Sequence, residues 1–200
     1  MKRLLTLLAT LTLVVAVRAD AVTYKIDPVH SSVGFSLRHL FSKFSANFTK
    51  LNGAITFDAA APEKSHVEAT VEIGSVNTAD DKRNAHVLSA DFFDAAKFPT
   101  AHFVSKSWTK TGEGTFDVTG DLTIKDVTKP VTLKVTLLGT GPGMRGATTS
   151  GWEATVTIKK SEFGVAGPAM LSKALGDDVA LTISVEANHK PEGAEPAKKG

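Results

Sequence analysis

The chain predicts an all-β protein, an extended eight-stranded antiparallel up-and-down barrel with a short helical lid near residues 82–96. Three observations carry this. Apolar and polar residues alternate with period two in segment after segment, as they do on strands with one face inward. Valine and threonine dominate those segments. One solvated face per strand is the mark of antiparallel sheet, and closing such a sheet removes its exposed edges.

In chain order, residues 1–19 read as a secretory leader. Lys2 and Arg3 precede an apolar run from Leu4 to Val17, and the small residues Ala19 and Ala21 suit cleavage after either position. The stretch Asp27-Pro-Val-His-Ser-Ser-Val-Gly-Phe-Ser-Leu-Arg-His-Leu-Phe41 follows. It sets Val33, Phe35, Leu37, His39 and Phe41 on one face and Gly34, Ser36, Arg38 and Leu40 on the other. Ile55 and Phe57 pair on the next strand, and Val67, Ala69, Val71 and Ile73 on the one after. Alternation fails over Asp80–Phe98, where Asn84–Ala90 suits a short helix and Phe92 and Phe93 follow. That excursion reads either as a lid over a barrel end or as a connection whose rings fill a core gap. Phe116, Val118, Leu122 and Ile124 then face inward, and segments 131–137, 152–158 and 179–185 repeat the pattern. Glycine-rich Gly139–Gly143 reads as a loop, and residues 190–200 as a disordered, proline-bearing tail.

Residues 20–189 therefore form one domain, with no internal repeat or second linker. Removing Lys2, Arg3 and Arg18 takes the formal net charge from +2 to −1, and no basic run with interleaved aromatics remains, so nucleic acid is not an expected partner. The absence of cysteine excludes disulfides and lipid attachment at the cut. Outward Glu68, Glu72, Lys134 and Glu153 do not suit a hydrocarbon-facing barrel, and no integral span is expected after cleavage.

The chemistry points to binding rather than catalysis. The six histidines, at 30, 39, 66, 86, 102 and 189, show no close-spaced ligand pair, and neither metal nor cofactor is expected. There is no Gly-x-Ser-x-Gly elbow and no phosphate-cradling loop, and Asp80-Asp81 and Asp177-Asp178 are adjacent only in sequence. Eleven phenylalanines against one tyrosine make an unusually apolar aromatic set, concentrated between 35 and 98. A greasy pocket with a few polar groups at its edge would use them, with His39 and His86 fixing a head group. A filled core would use the same rings.

With these residues assembled, the chain resembles the YceI-like family of secreted, lipocalin-like proteins. The resemblance rests on Tyr24-Lys-Ile-Asp-Pro-Val-His-Ser-Ser-Val-Gly-Phe35, His39, Gly53–Asp58 and Gly74–Thr78. It continues through His86-Val-Leu-Ser-Ala-Asp-Phe-Phe-Asp94, Phe98–Phe103, Gly120–Pro130 and Ser161-Glu-Phe-Gly164. It implies a periplasmic carrier or sequestering protein for a polyisoprenoid or other long-chain amphiphile, with no catalytic residues. The candidate lining is Phe35, Leu37, His39, Phe41, Phe44, Phe48, Phe57, Val71, His86, Phe92, Phe93 and Phe103. Asn84-Ala85 stands where members commonly have Arg-Asp, removing a bidentate fork for phosphate, and Lys160 replaces an arginine. Two other functions stay open: an enzyme using His30, His39 or His102 on such a lipid, and a stress-related barrel with a filled core. Oligomeric state is open, a homodimer included.

Overall fold

The computed structural model describes residues 21–190, so the expected leader over 1–19 and the tail over 191–200 lie outside the described residues. Eleven strands form one sheet. They are β1 (Val22–Ile26), β2 (Ser32–His39), β3 (Ser42–Phe48), β4 (Leu51–Phe57), β5 (His66–Glu72) and β6 (Val76–Asn77). After α1 (Asp81–Leu88), the single α-helix among the described residues, come β7 (Thr100–Gly112), β8 (Thr115–Ile124), β9 (Val127–Pro142), β10 (Thr148–Lys159) and β11 (Leu175–His189).

Eleven strands fill eight barrel positions, because the first six pair end to end. Against β11, β1 aligns Ile26 with Ala187 and β2 aligns Val33 with Ile183, so both continue one line with a kink at 27–31. On the neighbouring line, β3 pairs β2 and β4 pairs β1. Next, β5 pairs β4 and the short β6 pairs β3. The β1–β11 pairing closes an eight-position antiparallel barrel. At Gly53 (φ 145°) an added Cβ would lie 2.1 Å from the Glu68 carbonyl oxygen, so the β4–β5 approach there requires glycine.

The kink is held by hydrogen bonds, among them the Asp27 N–H to the Glu186 carbonyl at 2.8 Å and the Ser31 hydroxyl to the same carbonyl at 3.2 Å. Asp27 accepts from the Val29 N–H at 2.8 Å and pairs with the His30 ring at 3.1 Å, while Glu186 lies 3.8 Å from the same Nδ1. The bond to Asp27 chiefly raises the His30 pKa, aided by the charges of Asp27 and Glu186. That bond, with the one from Val29, lowers the Asp27 pKa. A raised histidine stabilises below its ordinary value of about 6.5, and a lowered aspartate above about 3.9. The kink should thus be tightest between those values, loosening as pH rises through the His30 pKa or falls through that of Asp27. An NMR titration should place His30 above free histidine, and Asp27→Asn should bring it back down. A ring that titrates identically in both proteins would refute the coupling.

Local defects shift the alternation within the long strands. A bulge between Ser105 and Ser107 resets β7, so buried Ser105 and buried Trp108 both face inward. A second, opposite Gly151 and Trp152, leaves Leu138 unpaired and exposed. Gly139–Pro142, expected as loop, instead belongs to β9, because Thr148–Gly151 supplies it with a partner strand. The helix begins three residues before Asn84, where the Asp80 side chain accepts from the Arg83 N–H at 2.8 Å, and it ends before Ser89.

Inside, the two ends of the barrel differ. At the end carrying the β7–β8 and β9–β10 turns, Phe57, Trp108, Phe116 and Trp152 pack ring against ring, with centroids 5.1 to 6.1 Å apart. Both indole N–H groups donate to buried serines, Trp108 to Ser105 at 3.4 Å and Trp152 to Ser150 at 2.9 Å. This end is shut.

Candidate functional site

The other end is hollow. A cavity of about 430 Å³ opens there and meets a second of about 130 Å³ deeper in the barrel. Val33, Val71, Ala101, Leu122 and Leu181 line both, so they form one tunnel with a waist. The tunnel runs from the mouth to the aromatic stack, where Trp108 and Trp152 close the inner chamber.

Period two on β2 places Val33, Phe35, Leu37 and His39 together in the outer chamber wall. Phe44, Phe48 and Val71 join them from neighbouring strands, and His86, Phe92 and Phe93 from the helical excursion. Phe103 lines the inner chamber. Two candidates lie elsewhere. Phe57 belongs to the aromatic stack. Phe41 sits in the two-residue turn between His39 and Ser42, beyond the end of the strand, and is fully exposed at 102%.

The helical excursion is part of the wall. Pairing between β5 and β7 stops at Glu72–Thr100, and the Ile73 N–H then donates to the Pro99 carbonyl at 2.9 Å. Beyond that point α1 and residues 89–98 fill the gap. Phe93 meets Phe48 edge-on at 5.6 Å. Phe92 presses against Gly167 (φ 78°), where a Cβ would lie 2.5 Å from the ring. The Lys125 ammonium, from the β8–β9 turn, donates to the carbonyls of Phe92 and Gly164 at 3.1 Å each. It straps the excursion to the β10–β11 connection.

That connection went unseen as a lining element in the sequence. Phe163 and Val165, both buried, join Leu171 and Leu175 in the cavity wall. The signal was present in Ser161-Glu-Phe-Gly164, whose phenylalanine precedes a glycine with φ 68° that turns the chain back.

Polar side chains gather at the mouth, where His39, Ser42, Lys43, Arg83, His86 and Lys160 line the outer chamber, while His102 and Glu153 border the otherwise apolar inner chamber. The arginine missing at Asn84-Ala85 is supplied one residue earlier. Arg83 and His86 are three apart on α1 and share a face. The Arg83 guanidinium donates to the Thr78 carbonyl at 2.7 Å and lies 5.0 Å above the Phe44 ring. Asn84 instead accepts from the Thr78 N–H and hydroxyl, both at 2.8 Å, which fixes the approach to the helix. His86 pairs with Asp91 at 2.8 Å, and the Ser42 hydroxyl donates to the His39 carbonyl at 3.1 Å.

The three histidines of the enzyme reading are not brought together. His102 points outward between Thr70 (3.0 Å) and Thr100 (2.8 Å), and His30 lies at the outer kink. Among the described residues, Asp27, His30 and Glu186 could together hold a metal ion, their ligand atoms lying within 4.8 Å of one another. They stand on the outer wall, away from the tunnel. Among the same residues, no helix is long and apolar enough to cross a membrane.

A family model described as the YceI-like domain matches residues 24–187, nearly the whole barrel. The chain belongs to the YceI-like family. Within it, the UPF0312 protein of Pseudomonas putida strain W619 is similar, at 40% identity over 167 residues, or 82% of this chain and 87% of the relative. Among solved structures, BcnA of Burkholderia cenocepacia superposes with a TM-score of 0.74 at 27% identity, covering 81% of this chain and 99% of BcnA. A polyisoprenoid-binding domain from Saccharophagus degradans shares the YceI-like fold with a TM-score of 0.64, at 16% identity over 84% of this chain and 99% of that domain.

Proposed function

We propose that this protein is a periplasmic carrier or sequestering protein that takes one polyisoprenoid or other long-chain amphiphile into its tunnel, tail first. The observation that carries the reading is the distribution of polarity. From the waist inward the wall is almost wholly apolar and ends on an aromatic stack, while Lys43, Arg83, Lys160, His39 and His86 gather at the mouth. A ligand that fits has a long apolar body and one polar end. Each methylene taken from water contributes about 0.8 kcal/mol, so the tail supplies most of the affinity and the mouth sets orientation. The name of the Saccharophagus domain, which shares the fold, agrees with such a ligand. The apolar run behind Lys2 and Arg3 supports the periplasmic location.

Native mass spectrometry of the protein purified from its own compartment, followed by organic extraction, should find one bound lipid per chain. An empty protein that also refuses farnesol, quinone and fatty-acid analogues would overturn the reading. The Lys125 strap gives a kinetic counterpart. Lys125→Met removes both bonds across the wall and should speed release of a fluorescent fatty acid severalfold, with little loss of thermal stability. Identical release rates would show that the strap does not gate exchange.

A further inference from the structure

We propose that the open end of the barrel docks on a membrane surface bearing anionic head groups, with the Leu40-Phe41 turn and Met170 as its inserting residues. The proposal deepens the carrier reading but stands on different residues. The turn between β2 and β3 has two central residues, positions where asparagine, aspartate and glycine are favoured because φ turns positive. Here they are leucine and phenylalanine. Leu40 takes φ 50°, and Phe41 is 102% exposed. The neighbouring two-residue turn at the same end, Lys125-Asp126, takes a similar backbone, with Lys125 at φ 58°, but carries polar side chains. An unfavourable backbone that presents apolar side chains to water is not explained by folding.

Met170, 86% exposed, lies on the β10–β11 connection, which is tied to this turn by the Leu40 N–H donating to the Ala174 carbonyl at 2.7 Å. The strand ends flanking these two segments carry His39, Ser42, Lys43 and Leu175 of the cavity wall, and the connection itself carries Leu171, so the exposed apolar residues border the tunnel entrance.

Charge selects the partner. Arg38 and Lys43 stand directly opposite one another on β2 and β3, a repulsive cross-strand pair. Neither takes part in an ion pair among the described residues. Arg38 is held against the turn itself, donating to the Leu40 carbonyl at 2.8 Å. The acids beside them on β11 are engaged, Asp178 by Lys159 and Asp177 by Ser161, both at 2.7 Å. Exposed Lys173, three residues after Met170 in the same connection, adds a third cation. Apolar tips ringed by unpaired cations fit the interface of an anionic bilayer, where rings sit at head-group depth and basic residues meet phosphate.

The protein, expressed as the full chain and purified from the soluble extract, should sediment with vesicles of phosphatidylcholine containing phosphatidylglycerol. It should bind far less to phosphatidylcholine alone, and binding should weaken as salt rises. Phe41→Ser should lower the partition coefficient about tenfold, and Arg38→Ser with Lys43→Ser should remove the dependence on phosphatidylglycerol. Met144→Ser, equally exposed on the β9–β10 turn at the shut end, should change nothing, and shared chain termini cancel in that comparison. Absence of vesicle binding, or equal loss with Met144→Ser, would overturn the proposal. So would a dimer dissolved by Phe41→Ser without any lipid dependence, which would assign the patch to a second copy. Lipid content measured on the parent protein separates the two readings, since a parent that docks yet is always empty refutes the carrier and leaves the docking surface standing.

Discussion

Ala101→Phe is expected to leave the barrel folded and deprive it of its longest ligands. Ala101 lines both chambers, so a ring at this position fills the waist from the β7 side. The added volume enters space that is already hollow, which keeps the cost at or below the usual 1–3 kcal/mol of overpacking. The binding effect is larger. If the inner chamber holds four methylenes, their exclusion removes about 3.2 kcal/mol, roughly a two-hundredfold loss of affinity. The loss should grow with chain length and vanish for a chain short enough to stay in the outer chamber. Titrating saturated fatty acids of increasing length against both proteins reads this directly. Parallel length profiles would show that ligands do not pass the waist.

Trp152→Ala is expected to be the most destabilising single change. Its indole is buried, contacts Phe57 at 5.1 Å and Trp108 at 6.1 Å, and donates to Ser150, which is itself fully buried. Truncating a packed tryptophan costs about 3–5 kcal/mol. For a domain of this size that is a fall of about 10 °C in thermal midpoint. The second consequence is geometric. Removing one ring of the stack lengthens the inner chamber, so the surviving folded protein should accept longer chains than the parent, the reverse of Ala101→Phe. Trp152→Phe should lie between, since it keeps a ring but loses the bond to Ser150. A calorimetric midpoint within 2 or 3 °C of the parent (below 1 kcal/mol) would show that the stack is not a stability element.

The barrel was legible in the sequence because period two is a direct print of a half-buried strand. Val33, Phe35, Leu37 and His39 were placed on one wall by spacing alone, and that wall faces the tunnel. What failed were positions where a partner strand, not local pattern, sets the outcome. Gly139 and Gly141 look like loop until Gly151 and Thr149 are seen opposite them. Bulges hid the inward turn of Trp108 by shifting the phase between Ser105 and Ser107. Phe41 continued the alternation on paper, but the strand ends at His39 and the ring swings out. The mouth was the least legible part, because Lys43, Arg83 and Lys160 come from three segments whose meeting depends on barrel closure.

That closure governs when the protein can exist at all. The seam joins Lys25 to Asn188 and Ile26 to Ala187, so the first strand finds its last neighbour only when nearly the entire chain is available. A ribosome that still holds β11 holds an open sheet with its apolar wall uncovered. Folding dominated by such distant pairing is slow and exposed to aggregation. Truncation before Ala187 should therefore yield a chain that aggregates, not a smaller barrel. Any factor that shields the nascent sheet will have to act on a nearly complete chain, until its two ends meet.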